Sequence, residues 1–360
     1  MATVKLGIIG TGNMGNKHAR SFRAIRGVKL TACYDLNVQQ AHEFAHKHRI
    51  PCVASSVTEL IERTDAVSVV TPDATHSKIS LQVLDAGKHL LCEKPLATTL
   101  ADARKVARKA VDEQELQGTV HMVNFSYRDS SAVQESIKLV QRGDLGQIRY
   151  LEGSYLQSWL ASDYWGPWDS PTFLWRLQTA KGSTGVLGDV GCHLLDLVTA
   201  VAGDATAVDC SFSCLPKVDR KGQQRTSIRG HELDANDTAI VRLHYVDGLV
   251  GVCHATRWAT GHKNRVAMSL HGTEGALRIN LDDGFNKLHL CTGKNVEKAR
   301  WTTRTVRATP SIYQRFIRSI RIGQQDQPDI ERGAHIQSYL DACERSSKIH
   351  GKKSKLRPWM

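Results

Sequence analysis

The chain lacks most features that would take it outside ordinary globular proteins. No stretch approaches the roughly 18 consecutive apolar residues of a membrane-spanning helix. Met1 to Leu6 lead straight into a buried-strand pattern, with no basic leader and cleavage site before it. There is no internal repeat and no low-complexity tract. Of the nine cysteines, no two form a Cys-x-x-Cys pair. An odd, scattered set reads as reduced thiols acting as small apolar residues. Cys210 and Cys214 stand four apart, but no nearby Cys/His pair completes a zinc site, so no metal is expected. These absences point to a cytoplasmic protein without disulfides.

What is present fits a two-domain protein. A length of 360 residues suits two units of roughly 100–200 residues each. The hydrophobic fraction of 41% and charged fraction of 23% are ordinary. The formal net charge is +12, which raises nucleic-acid binding as one reading. The basic residues are spread along the chain, however, and only His350 to Arg357 form a dense run. The excess is better read as solubility and attraction for an anionic dinucleotide, with no nucleic-acid or membrane partner.

Residues 4–124 read as alternating strands and helices. Strands are expected at 4–9, 28–34, 51–54, 66–70, 89–92 and 118–123. Helices are expected at 14–26, 38–48, 57–62, 76–86 and 100–113. Such repeated units imply a parallel, doubly wound sheet. From Phe125 the pattern changes to a helix at 132–141 and a strand at 148–157. A Trp-rich loop, a glycine cluster and an apolar helix at 189–201 follow. Strands are then expected at 206–213, 237–245, 248–256, 264–272, 275–281 and 287–290, and closing helices at 311–320 and 330–346. This reads as α+β with a mostly antiparallel sheet. Lys217 to Leu233 is polar and is expected to be an exposed loop. The domains are set at 1–124, for dinucleotide binding, and 125–360, for substrate binding and oligomerisation.

Gly10-Thr-Gly12-Asn-Met-Gly15 follows a buried strand and opens a helix, the context in which G-x-G-x-x-G becomes informative. Gly10 permits a tight turn, Gly12 lets the backbone approach a pyrophosphate, and Gly15 lets helix and strand pack closely. The helix N-terminus offers N–H groups to phosphates. Asp35, 20 residues after Gly15, is placed to hydrogen-bond a ribose 2′-hydroxyl and would repel a 2′-phosphate. Leu36 and Asn37 supply no cation, so NAD is preferred over NADP.

Thr71-Pro-Asp-Ala-Thr-His76 with Glu93-Lys94-Pro95 resembles one signature of the glucose-fructose oxidoreductase/inositol dehydrogenase (Gfo/Idh/MocA) family. Gly188-Asp189-Val-Gly191-Cys-His193-Leu-Leu-Asp196 resembles its second signature. The resemblance covers nearly the whole chain. It implies a Rossmann domain followed by a domain whose open sheet serves a homodimer or homotetramer. It adds Asn13, Met14, Thr71, Pro72, His76, Glu93 and Lys94 to the cofactor side. It also makes Lys94–Pro95 a candidate cis peptide. Asp73 stands where the family often has asparagine, and Gly182-Ser183-Thr184-Gly185 where it often has a glycine run.

The residues themselves give the same chemistry. Lys94 lies just past a strand's carboxyl end, where such sheets place ligands. Asp189 and His193, four apart on an expected helix, would share a face. Oxidising an alcohol removes an O–H proton together with a hydride. His193 suits the proton, Lys94 can stabilise charge on the reacting oxygen, and Asp189 can hold Lys94 or orient the hydroxyl. The expected activity is therefore an oxidoreductase moving a hydride between NAD(P) and a CH–OH carbon of a sugar, inositol or related polyol. The alternative is a non-catalytic dinucleotide-binding regulator.

Trp159, Trp165, Trp168 and Trp175, four of the seven tryptophans, crowd one span before Arg176. Indole faces can pack on the C–H faces of a pyranose, or plug the space between domains or subunits. Tyr127, Trp159, Trp175, Arg176 and His262 are expected to line the substrate side with Lys94, Asp189 and His193. The segment Arg257 to Asn264 resembles one in anhydrosugar-oxidising members of the family, where the corresponding histidine faces the sugar. A plain hairpin turn is an equal alternative, and Asn264 is a further candidate.

Overall fold

Two compact units make up the structure, a computed structural model that describes residues 3–360. The first contains residues up to Ser126, Pro310–Gln337 and Pro358–Met360. In it the strands are Val4–Ile9 (β1), Val28–Tyr34 (β2), Cys52–Val53 (β3), Ala66–Val69 (β4), His89–Cys92 (β5) and His121–Val123 (β6). The helices are Asn13–Arg23 (α1), Val38–His48 (α2), Val57–Glu62 (α3), His76–Asp85 (α4) and Leu100–Gln117 (α5). The six strands are parallel, in the order β3-β2-β1-β4-β5-β6. Strands covered on both faces need continuous apolar sequence, and every residue of β4 is buried. Asn37, Ser56 and Thr99 start α2, α3 and α5 by accepting a hydrogen bond from the backbone N–H three residues on. The strand order reverses between β1 and β4, so the carboxyl ends of these strands form the switch point where such sheets bind ligands.

The first unit recruits sequence from far downstream. Ile312, Tyr313, Phe316 and Ile317 share one buried cluster with Leu6, Ile8, Phe22 and Phe44. Burying each large apolar side chain contributes about 1.5–3 kcal/mol, so the helix Ile312–Ile322 belongs to this core. Residues 125–360, expected as one second domain, thus give up Pro310–Gln337 to the first unit. A helix's apolar stripe shows that it is covered but not by which sheet.

The second unit comprises Tyr127–Thr309 and Ser338–Arg357. It contains helices Ser131–Gln141 (α6) and Cys192–Ala202 (α7). Its strands are Ile148–Leu156 (β7), Ala207–Ser213 (β8), Thr238–His244 (β9), Val250–Thr256 (β10), Arg265–Gly272 (β11), Gly275–Asn280 (β12), Lys287–Thr292 (β13), Thr302–Thr305 (β14) and Ser354–Lys355 (β15). They form one nine-stranded sheet in the order β14-β13-β12-β11-β7-β10-β9-β8-β15. All its pairs are antiparallel except β7 with β10. Side chains of β9 alternate, with Ala239, Val241 and Leu243 buried and Ile240 and Arg242 exposed, as one covered face requires. Leu194 and Val198 of α7 press on Gly153 of β7, where a Cβ would stand 2.8 Å from Val198.

The expected loop from Lys217 to Leu233 is instead two short hairpins, 217–218 with 224–225 and 227–228 with 231–232. Lys217 is not exposed. Its ammonium lies 2.8 Å from Asp237, and both side chains are almost wholly buried. The expected helix at 189–201 also divides. Leu187–Gly191 is a π-helical turn, and α-helix begins only at Cys192.

Candidate active site

In the first unit the glycine loop has the stereochemistry its sequence implies. Gly10 has a φ of +99°, and a Cβ there would lie 2.4 Å from the Val70 carbonyl oxygen. A Cβ on Gly15 would lie 2.3 Å from the Gly10 carbonyl oxygen. Gly12 differs, because nothing lies within 4 Å of its Cβ position. It precedes α1, has no side-chain cap, and is followed by exposed Asn13 and Met14. Uncapped N–H groups beside an open backbone suit a diphosphate. Asp35 directly follows β2 and faces this loop: its Oδ2 accepts from the Thr11 N–H at 2.7 Å and the Thr11 hydroxyl at 2.9 Å. Its Oδ1 accepts from the Asn37 N–H at 2.9 Å. A carboxylate oxygen has lone pairs for more than one donor, so Asp35 can brace the loop and still receive a ribose hydroxyl.

Lys94 is half-buried just beyond β5, and the Lys94–Pro95 peptide is cis. Two neighbours expected on the cofactor side, His76 and Glu93, are buried. The His76 Nδ1 lies 2.7 Å from the Pro95 carbonyl and its Nε2 2.8 Å from the Thr71 carbonyl. The imidazole thus ties the Thr71 turn to the segment carrying Lys94, while Thr71 and Thr75 join their hydroxyls at 2.7 Å. Pro72 stands exposed on that turn. Glu93 lies 2.9 Å from the His18 Nε2, and Ser68 lies 2.8 Å from the His18 Nδ1. Burial alone would raise the Glu93 carboxyl. The hydrogen bond and charge of His18, the Lys94 ammonium and Asn124 outweigh it, and hold it far below the usual carboxylate range. Glu93 also accepts from the Lys94 N–H at 3.2 Å, so helix α1, strand end β5 and Lys94 share one buried network.

In the second unit His193 sits buried on α7 with the Tyr127 ring edge-on to its imidazole, centroids 4.9 Å apart. Tyr127, Tyr155 and Asn264 form a closed polar triangle. The two phenol oxygens are 2.7 Å apart, Tyr155 donates to Asn264 Oδ1 at 2.8 Å, and Asn264 Nδ2 donates to Tyr127 at 2.7 Å. Gln157 extends it, donating to Asn264 at 2.8 Å and accepting from Trp159 Nε1 at 3.1 Å. Burial, then the neighbouring Tyr127, push the Tyr155 phenol well above its ordinary value, so it stays protonated.

Asp189 lies in the π-helical turn. Arg257 Nη2 approaches its Oδ2 at 3.2 Å and Arg176 Nε at 3.7 Å. Arg176 lies 4.5 Å from the Trp175 ring. Ser183, in the altered glycine run, donates to the Arg176 carbonyl at 2.6 Å. Asp196, the last residue of the second signature, makes a buried two-pronged pair with Arg128, both contacts 2.7 Å. Trp159 and Trp168 pack with Leu160, Leu174, Leu177 and Leu233 as a small core. Trp165 is exposed, and His262 is half-buried in the turn before Asn264. Sequence reasoning missed Tyr155, Gln157 and the partner of Asp189. The one available signal was the period-2 spacing of two polar residues, 155 and 157, along a buried strand.

Residues 4–122 match the model of an oxidoreductase family with an NAD-binding Rossmann fold. Residues 133–278 match the Gfo/Idh/MocA C-terminal domain. The chain belongs to the Gfo/Idh/MocA family. It is an NAD-dependent oxidoreductase with a Rossmann domain, which favours the enzyme over a dinucleotide-binding regulator. Levoglucosan dehydrogenase of Pseudarthrobacter phenanthrenivorans is 30% identical over 78% of this chain and 75% of its own. Myo-inositol 2-dehydrogenase of Thermotoga maritima is 24% identical over 76% and 74%. A levoglucosan dehydrogenase structure in complex with NADH and L-sorbose superposes with a TM-score of 0.85. It is 26% identical and covers 99% of this chain and 100% of its own. A Kribbella flavida oxidoreductase domain protein gives the same TM-score at 27% identity, with the same shares covered. Among the described residues no helix is long and apolar enough to cross a membrane, and no His, Cys, Asp and Glu cluster suits a metal ion.

Proposed function

We propose that this oxidoreductase moves a hydride between NAD and a CH–OH carbon of a sugar, anhydrosugar, inositol or related cyclic polyol. The observation carrying this reading is the polar array around His193: Tyr127, Tyr155, Gln157 and Asn264 present interlocked donors and acceptors beside a buried imidazole. Recognition of a polyol needs several fixed hydrogen-bonding groups of this kind. The relatives named for levoglucosan and inositol support the same substrate class.

Gly10, Gly12, Asn13 and Gly15 would hold the diphosphate at the start of α1, with Met14 and Pro72 at the margins and Asp35 receiving the ribose. When bound, NAD supplies the nicotinamide that accepts or returns the hydride. The chain supplies the rest. His193 takes the hydroxyl proton as the substrate carbon loses hydride. Lys94 donates a hydrogen bond to the oxygen on which negative charge grows. Asp189 orients that hydroxyl, and Trp175, Arg176 and His262 border the substrate. His76 and Glu93 set the main chain from which Lys94 projects. We also assign the protein to the cytoplasm, as a homodimer or homotetramer formed through the open face of the large sheet, where Tyr150, Ile240 and Val250 are exposed.

Absorbance of reduced nicotinamide, followed with NAD and a panel of anhydrosugars, pyranoses and inositols, tests the reading. Turnover of one panel member, lost in both Lys94→Ala and His193→Ala, is the expected result. Unchanged turnover in both variants overturns the assignment of roles.

A further inference from the structure

Arg257 follows β10, and its side chain is wholly buried. Its backbone N–H donates to the Asp237 carbonyl at 3.0 Å, which fixes the main chain there. The guanidinium then reaches three neighbours. Nη2 donates to Asp189 Oδ2 at 3.2 Å, Nη1 donates to the Arg176 carbonyl at 3.1 Å, and the carbon of the head group lies 5.0 Å from the Trp159 ring. Nε is buried without a hydrogen-bond partner. Burial pulls its pKa down, and the charges of Asp189 and Asp237 pull it back.

A buried, incompletely satisfied guanidinium is a poor way to stabilise a core, because an apolar side chain of similar volume would usually serve as well or better. The arrangement makes sense if the charge is needed at the carboxylate it meets. Arg176 approaches the same oxygen, but only at 3.7 Å and from a partly exposed position, where water screens it. Arg257 is the inner, unscreened partner, and a planar fork fixes direction as well as charge.

We infer that Arg257 is a positioning residue that holds the Asp189 carboxylate in its working orientation from the core side. The inference rests on the role given to Asp189 above. It assigns no contact with substrate to Arg257, which acts through Asp189 alone.

A double-mutant cycle on the full-length enzyme tests it, using whichever panel sugar turns over. Arg257→Met keeps the volume and removes the charge. It is expected to lower kcat by about tenfold or more while KM changes by less than about threefold, the pattern of a group acting in the transition state. NAD binding, followed by fluorescence titration, stays within about twofold of the parent. In an Asp189→Asn background, Arg257→Met should cost little more, because residues that act through one another are non-additive. Arg257→Lys should recover part of kcat. Should Arg257→Met lose its melting transition, the same cycle is run with Arg257→Lys, whose partial loss should vanish beside Asp189→Asn. Effects that multiply across the cycle, or full kcat in folded Arg257→Met, overturn the inference. Failure of the Lys94 and His193 variants to lose activity would instead overturn the underlying assignment, so the two failures are told apart.

Discussion

The Tyr127 ring stands edge-on to the His193 imidazole at 4.9 Å, and its hydroxyl closes a triangle with Tyr155 and Asn264. The edge-on ring bounds one side of the imidazole, and the triangle sets where the tyrosine stands. Tyr155→Phe removes the buried hydroxyl that joins both partners. Leaving buried polar groups unsatisfied costs about 1–3 kcal/mol, so urea unfolding should show a loss of that size. Turnover should fall with it in the folded enzyme. A variant of full stability and full rate would show that the triangle does not hold the His193 environment.

Asp35 is expected to do two things: brace the glycine loop through Thr11 and favour NAD over NADP. Asp35→Ser should weaken NAD binding by about tenfold, about 1.4 kcal/mol, and narrow the preference over NADP. Titration of both dinucleotides by fluorescence decides this. Equal weakening toward both would assign Asp35 to the loop alone.

Much of this was legible in the sequence where the determinants are local. The strand Val28–Tyr34 and helix Val38–His48 occur with the expected bounds, because a short apolar run closed by Asp35 and the helical stretch after it are written in consecutive residues. The glycine loop and Asp35 were legible for the same reason. Long-range pairings were not. Asn264 meets Tyr127 across 137 residues, and Arg257 meets Asp189 across 68. No periodicity encodes such a partner, and an arginine among polar neighbours looks like surface. The division at Gly191 between π and α turns was hidden too, since Asp189 and His193 fit an ordinary helical spacing.

Lys217 shows what that blindness concealed. Its ammonium meets Asp237 at 2.8 Å with both side chains buried. Removing one member of such a pair leaves the other charge uncompensated, at about 3–5 kcal/mol. Lys217→Met should therefore lower stability to chemical denaturation by that order, whereas an exposed lysine would cost almost nothing.

The same ammonium lies 3.3 Å from the Cys214 sulfur. Cys214 is the one exposed cysteine of the nine, Cys52 is half-buried and the other seven are buried. Solvent access decides which thiol a reagent reaches first. A native thiol titration with a chromogenic disulfide should release one fast equivalent, lost in Cys214→Ser. Fast release from several thiols would contradict the burial pattern.

His121 gives the pH dependence of the first unit a definite sign. It ends up on β6 beside β5, where burial first, and the charge of His89 second, lower its pKa from 6.5 to about 4. In the unfolded chain the imidazole takes its proton near about 6.5. As pH falls below that value the unfolded state binds a proton that the folded state refuses, so stability declines. The decline runs from the unfolded value down to about 4, below which both states are protonated. A shift of this size corresponds to about 3 kcal/mol. His121→Phe keeps an aromatic ring and removes the titration, so its stability should fall less over the same interval. Urea unfolding of both proteins at pH 7.5, 6, 5 and about 4.5 measures the difference through linkage. Parallel curves would mean that His121 takes its proton at the same pH in the folded state as in the unfolded chain.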